Sequence, residues 1–148
     1  MPNPSLPNDA RVTRLKQYFE SLTVDSVSAL ASLYTEDAWF KDPFNEVRGL
    51  PALERIFSHM FRQVRDPRFV ITRSIAAGDD AFLTWDFLFR LQGSSDREQV
   101  IRGATHIQFA PDGRVAYHRD YWDAAEELYE KLPVLGGLMR FLKRRAAG

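Results

Sequence analysis

Leu33-Tyr-Thr-Glu-Asp-Ala-Trp-Phe-Lys-Asp-Pro-Phe-Asn45, closed by Gly49, decides how the rest of the chain is read. It has the pattern of a helix end, a short strand and a turn that carries a carboxylate. Side chains of a strand alternate between its faces. Ala38, Phe40 and Asp42 therefore share one face, and Trp39 and Lys41 take the other. An acid at the end of an apolar strand face points at the interior or its rim. Pro43 ends the strand and holds Asp42 extended. Asp-Pro is also an ordinary way to start a turn, and local sequence leaves both roles open for Asp42.

On the N-terminal side, Asp9 is placed to cap a helix running to about Leu22. Val12, Leu15, Tyr18, Phe19 and Leu22 fall on one stripe of it. A buried phenol needs a partner for its hydroxyl, so Tyr18 is either bonded to backbone or a donor into a pocket. Asp25 or Ser26 caps a second short helix, with Val27, Leu30, Leu33 and Tyr34 inward. On the C-terminal side, Pro51 suits the first turn of a third helix. Leu53, Ile56, Phe57, Met60, Phe61 and Val64 form its buried side, and Asp66-Pro67 ends it. His59 lies beside that stripe and reads as a surface or boundary residue.

Beyond Pro67 the period changes from helix to strand. Arg68–Ala77 and Ala81–Leu91 flank the turn Gly78-Asp79-Asp80. Trp85, Phe87 and Phe89 lie on one face of the second strand, opposite Thr84, Asp86, Leu88 and Arg90. After a wider connection over 92–97, Glu98–Ala110 is a third strand with Ile101, Gly103, Thr105, Ile107 and Phe109 on one face. Pro111-Asp112-Gly113 is a strong hairpin turn. In the fourth strand, Arg114–Trp122, one face holds Ala116, His118, Asp120 and Trp122, and the other Tyr117, Arg119 and Tyr121. Neither face is plainly apolar, whereas a half-buried strand shows clean alternation. Either one face lines a cavity and the other an interface, or the strand is a solvated edge. Three helices before an antiparallel meander make an α+β architecture.

The bulk numbers bound the function. A chain of 148 residues is one domain long and buries roughly 70% of its extended surface, enough for a core with an internal pocket. Formal net charge is zero, so a general nucleic-acid footprint is absent. With no cysteine there is no disulfide and no thiolate metal site. The three histidines, at 59, 106 and 118, form no spaced metal-ligand motif. No apolar run approaches a transmembrane span. Residues 1–8, polar and rich in proline, lack the features of a signal peptide and read as a disordered lead-in. A cytoplasmic location is the expectation. The tail, 124–148, reads as a helical extension broken near Pro133 and Gly136-Gly137, an arm packing on the barrel mouth or on a partner chain, with a membrane-surface role as the weaker alternative.

Three helices, a short strand ending in Asp42-Pro43, Gly49 before the third helix, and Asp112-Gly113-Arg114-Val115 before the last strand resemble, in that order, the nuclear transport factor 2-like superfamily. That group includes ketosteroid isomerase, the SnoaL-type polyketide cyclases and limonene epoxide hydrolase. The resemblance covers roughly residues 9–123. It implies a cone: a curved antiparallel sheet wrapped around the N-terminal helices, with an extra C-terminal helix here, a pocket inside, and a homodimer through the outer sheet face. It matches Asp42 to the general base of ketosteroid isomerase and Tyr18 to its oxyanion-hole tyrosine. Thr105 stands where that enzyme has a second, acidic donor. Asp120 matches the acid/base residue of SnoaL-type cyclases. The Asp-Arg-Asp arrangement used for epoxide opening is not evident.

The expectation is acid/base proton transfer, as in an isomerase or cyclase, on a small hydrophobic carbonyl compound. Asp42 takes the proton, Tyr18 and Thr105 hold the enolate oxygen, and Asp120 with His118 relays a proton. Phe40, Phe44, Phe61, Trp85, Phe87 and Trp122 form the aromatic wall. No cofactor and no metal are implied. A non-catalytic binding module for a lipophilic metabolite and a structural dimer domain are the alternatives.

Overall fold

Asp9 accepts the backbone N–H of Arg11 at 2.9 Å and so caps the first helix, as its position suggests. The computed structural model describes residues 9–91 and 97–127, residue 142 and residues 144–147. The expectations for the lead-in 1–8 and for most of the tail fall outside them. The order is α1 (Ala10–Glu20), a 3-10 segment (Val24–Ser32), β1 (Tyr34–Lys41), β2 (Glu46–Arg48), α2 (Leu50–Gln63), β3 (Val64–Ala77), β4 (Asp80–Leu91), β5 (Gln99–Phe109), β6 (Val115–Tyr121) and α3 (Ala124–Glu127).

Three boundaries differ from the sequence reading. The second helix is a 3-10 segment that starts from Thr23, because the Ser26 hydroxyl accepts the Thr23 backbone N–H at 2.9 Å. Tyr34 therefore opens β1 instead of closing a helix. Asp66-Pro67 does not end α2, which stops at Gln63. The pair sits in an irregularity of β3 between Arg65 and Arg68, with Asp66 at φ 50°. Proline has no N–H for the ladder, so the strand bulges there.

The sheet has six strands in the order β2-β1-β6-β5-β4-β3. β3 to β6 form the expected antiparallel meander. β1 joins it by pairing parallel to β6, with Phe40 opposite His118 and Lys41 opposite Arg119. That pairing was not legible locally, and it matters most for the site. Two residues past the Phe40/His118 pair come Asp42 and Asp120.

The helices cover one face of the sheet. Leu15, Leu30, Ala38, Leu53 and Ile107 are at most 1% exposed and form the centre of the core. Two glycines hold the geometry. Gly49 adopts φ 98° before α2 while its N–H donates to the Ala38 carbonyl at 2.8 Å, a backbone shape that disfavours any Cβ. At Gly103 on β5, a Cβ would lie 2.5 Å from the Trp85 indole, so the ring packs flat against bare backbone. Arg11 fastens the start of α1 to the β3–β4 turn. Its guanidinium donates to Asp79 at 2.8 Å and to the Gly78 carbonyl at 2.7 Å, and it lies 4.4 Å from the Phe109 ring centroid. Where the tail begins, the buried Glu127 accepts from Arg102 Nε at 3.1 Å and so docks α3 on β5.

Candidate functional site

The alternation of β6 turns His118, Asp120 and, just past the strand, Trp122 to the helix side of the sheet. Two hollows meet at Asp120. The inner one is a cleft of about 30 Å³, lined by Trp85, Thr105, His118 and Asp120 with apolar neighbours that include Phe19 and Leu83. That is room for about one water molecule. The outer one is a groove of about 780 Å³ between the sheet and α2, which includes Phe40, Asp42, Phe44, Phe87, Asp120 and Trp122 among its walls. The two acids expected to converge thus lie on one groove. Phe61 and Tyr18 line neither hollow.

A hydrogen-bonded chain runs through the inner cleft. Trp85 Nε1 can only donate, and it donates to Thr105 Oγ1 at 2.8 Å. The Thr105 hydroxyl must therefore spend its own proton elsewhere, and it donates to Asp120 Oδ1 at 2.6 Å. His118 Nε2 lies 2.7 Å from the same Oδ1. Tyr34 Oη lies 2.7 Å from His118 Nδ1 on the other side of the ring.

Tyr34 settles which nitrogen carries hydrogen. Its phenol is fully buried, and burial, reinforced by the Asp120 charge, holds its pKa well above the ordinary 10.0. A buried neutral phenol whose one partner is Nδ1 satisfies itself by donating there. Nδ1 is then the acceptor, and Nε2–H points at Asp120. Asp120 Oδ1 receives two hydrogen bonds. Oδ2 receives none among the described residues.

Asp42 is committed differently. Its Oδ1 accepts the backbone N–H of Phe44 at 2.8 Å, that of Asn45 at 2.6 Å and Asn45 Nδ2 at 3.1 Å. These bonds make it the organiser of the turn, the plainer of the two roles the sequence left open. Tyr18 also takes its plainer role: the hydroxyl donates to the Ser26 carbonyl at 2.8 Å. Thr105 likewise has its proton engaged by Asp120. Neither hydroxyl proton is free to meet a ligand oxygen.

The sequence reading turned Tyr34 inward but gave its hydroxyl no partner, although the argument applied to Tyr18 applies to it with more force. Of the basic side chains of α2 it weighed His59 alone, as a surface or boundary residue. Arg55 and His59, four apart on the helix, line the groove together with Arg62.

The two phenols make alkaline stability a check on this geometry. Tyr18 is pushed up to about 12, by burial first and then by the Glu54 charge. Unfolded tyrosine ionises near 10. Below pH 10 both states keep the proton, so the native contribution is fully present. Between pH 10 and 12 only the unfolded chain loses protons, so stability falls as pH rises. Urea midpoints measured at pH 9 and pH 11 should show that drop. In a 295 nm titration, Tyr34 should ionise only as the fold is lost, and Tyr18 only near pH 12.

A model of the SnoaL-like domain family matches residues 15–118. No curated protein matches the chain in sequence. Among solved structures, it is similar to a hypothetical protein with a ketosteroid isomerase-like fold from Catenulispora acidiphila, in complex with trimethylamine. The two share 16% identity over 80% of this chain and 89% of that one, with a TM-score of 0.69. It is also similar to a protein from Jannaschia sp. CCS1, provisionally named a SnoaL-like polyketide cyclase, at 16% identity, 78% and 85% coverage and a TM-score of 0.67. A third likeness is to an epoxide hydrolase of the LEH-like type from M. tuberculosis, at 16% identity, 90% and 93% coverage and a TM-score of 0.64. At these identities the structures speak to fold alone. With a curved six-stranded sheet over N-terminal helices, the nuclear transport factor 2-like fold, and a family match that spans most of its length, the chain belongs to the SnoaL-like domain family.

Proposed function

We propose that the protein catalyses proton transfer on a small hydrophobic carbonyl compound held in the groove, with Asp120 as the acid/base group. The observation that carries this reading is the asymmetry of the Asp120 carboxylate. Oδ1 is fixed by Thr105 and His118, while Oδ2 has no partner among the described residues and the residue lies where cleft and groove meet. Oδ2 takes a proton from the carbon next to the carbonyl. The C–H electron pair passes into the enolate, and the protonated carboxylate, whose hydrogen exchanges with solvent, returns a proton to carbon or oxygen. His118 and Tyr34 hold the carboxylate in place and neutralise its change of charge through the hydrogen-bonded chain. Asp42, the base by resemblance, serves here to shape the turn beside Phe44 and Trp122.

The test is exchange in heavy water with a panel of cyclic ketones, β-keto esters and lactones. Deuterium entering the carbon next to the carbonyl, followed by NMR, should depend on the protein for at least one member. Members that bind but never exchange would favour a second reading, a non-catalytic binder of a lipophilic metabolite. One observation supports it: Tyr18 and Thr105, the two expected oxyanion donors, both spend their protons inside the protein.

The partner in this reading is a second copy of the chain on the outer sheet face. That face carries a row of rings across four strands. Trp39 stacks on Tyr117 at 4.8 Å, Tyr117 meets His106 at 5.1 Å, and His106 stacks on Phe82 at 4.5 Å. Phe82 and its cross-strand neighbour Ile75 are 51% and 65% exposed. Light scattering should give twice the 17.1 kDa chain mass. Ile75→Arg with Phe82→Arg should restore the single mass, and a wild-type monomer would end the proposal.

A further inference from the structure

The groove has walls of opposite character. Its sheet wall contributes the acids Asp42 and Asp120, and its helix wall, α2, contributes Arg55, His59 and Arg62. The acids are engaged: Asp42 by its turn, Asp120 through Oδ1. Arg62 already has an interaction partner. Arg55 and His59 have no hydrogen-bond, ion-pair or ring partner among the described residues. One helical turn apart, they present two donors side by side to the same space. An arginine on an open surface needs no ligand to explain it. Arg55 and His59 are themselves exposed, but both sit on the wall of an aromatic groove whose sheet wall carries acids.

We infer that the ligand is amphiphilic and anionic, an apolar body ending in a carboxylate, and that Arg55 and His59 receive that carboxylate. This names the ligand class of the groove and rests on the groove being a binding site. Three properties point the same way. The guanidinium fork matches a planar carboxylate with two parallel hydrogen bonds. Phe40, Phe44, Phe87 and Trp122 supply an apolar surface for the body. The acids of the sheet wall repel an anionic end, so the molecule enters in one orientation, with its carboxylate on α2 and its neutral part against Asp120. That orientation keeps negative charge away from the carboxylate that must take a proton.

The experiment compares two fluorescent probes of matched size, 1-pyrenebutyric acid and 1-pyrenebutanol, titrated into the full chain. The acid should bind about tenfold more tightly, the gain expected of one charge-assisted contact at a partly exposed site. Arg55→Gln with His59→Gln should erase that advantage while the alcohol binds as before. Arg55→Lys should keep part of it. Equal affinities in the wild type would overturn the inference and leave the groove as a ligand site. An advantage that survives the double substitution would overturn it as well, since the anion would then be held elsewhere. Failure of both probes to bind would take the groove reading down with it. Loss of deuterium exchange alone would sink catalysis and leave the probe preference standing.

Discussion

Asp120→Asn is expected to slow the exchange of carbon-bound hydrogen by about 10²- to 10⁴-fold, the usual worth of a positioned acid/base group, while the fold survives. The reason lies in which oxygen does what. Thr105 and His118 both bond to Oδ1. An asparagine oxygen in that position accepts both bonds, and the amide nitrogen then occupies the place of Oδ2, where the carboxylate has no partner among the described residues to lose. The weaker acceptor costs about 1 kcal/mol of stability. Proton transfer is lost because the amide cannot take a proton. Asp42→Asn is the counterpart. Asparagine also accepts turn N–H groups, so both the fold and exchange should persist. If exchange dies in Asp42→Asn and survives in Asp120→Asn, the base is Asp42, as the resemblance implied, and the assignment made from the geometry is wrong. Chemical shifts of the His118 ring nitrogens give an independent readout. With Tyr34 donating to Nδ1 they should report hydrogen on Nε2; in Tyr34→Phe the Nδ1 shift should move as it loses its donor, while Asp120 keeps the hydrogen on Nε2.

The parts of this site legible from sequence were those that a periodicity fixes. Alternation placed Phe40 and Asp42 together and His118, Asp120 and Trp122 together; all but His118 line the groove, and His118 lines the inner cleft with Asp120. No periodicity says which strands lie side by side. The parallel pairing of β1 with β6 joins residues more than seventy positions apart, and it alone brings the two groups to one place. Side-chain commitments were equally out of reach. Whether Tyr18 gives its proton to Ser26 or to a ligand depends on where the 3-10 segment docks, and its start is set by Thr23 and Ser26. Phe61 fell on the buried stripe of α2 and was read as wall. Ile56, Phe57, Met60 and Val64 of that stripe do line the groove, whereas Phe61 packs against the core without reaching it. Tyr34 was legible in principle. A phenol in an otherwise apolar stretch must find a partner, and a histidine in a mixed strand needs one too.

Phe40→Ala carries the largest expected loss of stability, about 3–5 kcal/mol, or roughly 10 °C in melting temperature for a chain of this size. Phe40 is only 2% exposed and lies in the stretch from which the fold was read. Its ring centroid is 4.8 Å from that of His118 and 6.1 Å from that of Phe57, so it joins the sheet to α2 and holds the imidazole on one side. Truncation opens a void that the rigid pairing of β1 with β2 and β6 cannot close. The groove reaches Phe40 as well, so solvent can enter part of that void, which favours the lower end of the range. Trp39→Ala is the internal control. Trp39 lies on the opposite face of the same strand, half-buried and stacked on Tyr117, and its loss in the separated monomer should cost about 1 kcal/mol. Urea unfolding of the two variants side by side tests the alternation on which the whole reading turns. Comparable losses would mean that β1 does not divide its residues between core and surface. Phe40 would then be no wall between His118 and the groove, and the hydrogen-bonded chain from Tyr34 to Asp120 would lose the packing that keeps it in register.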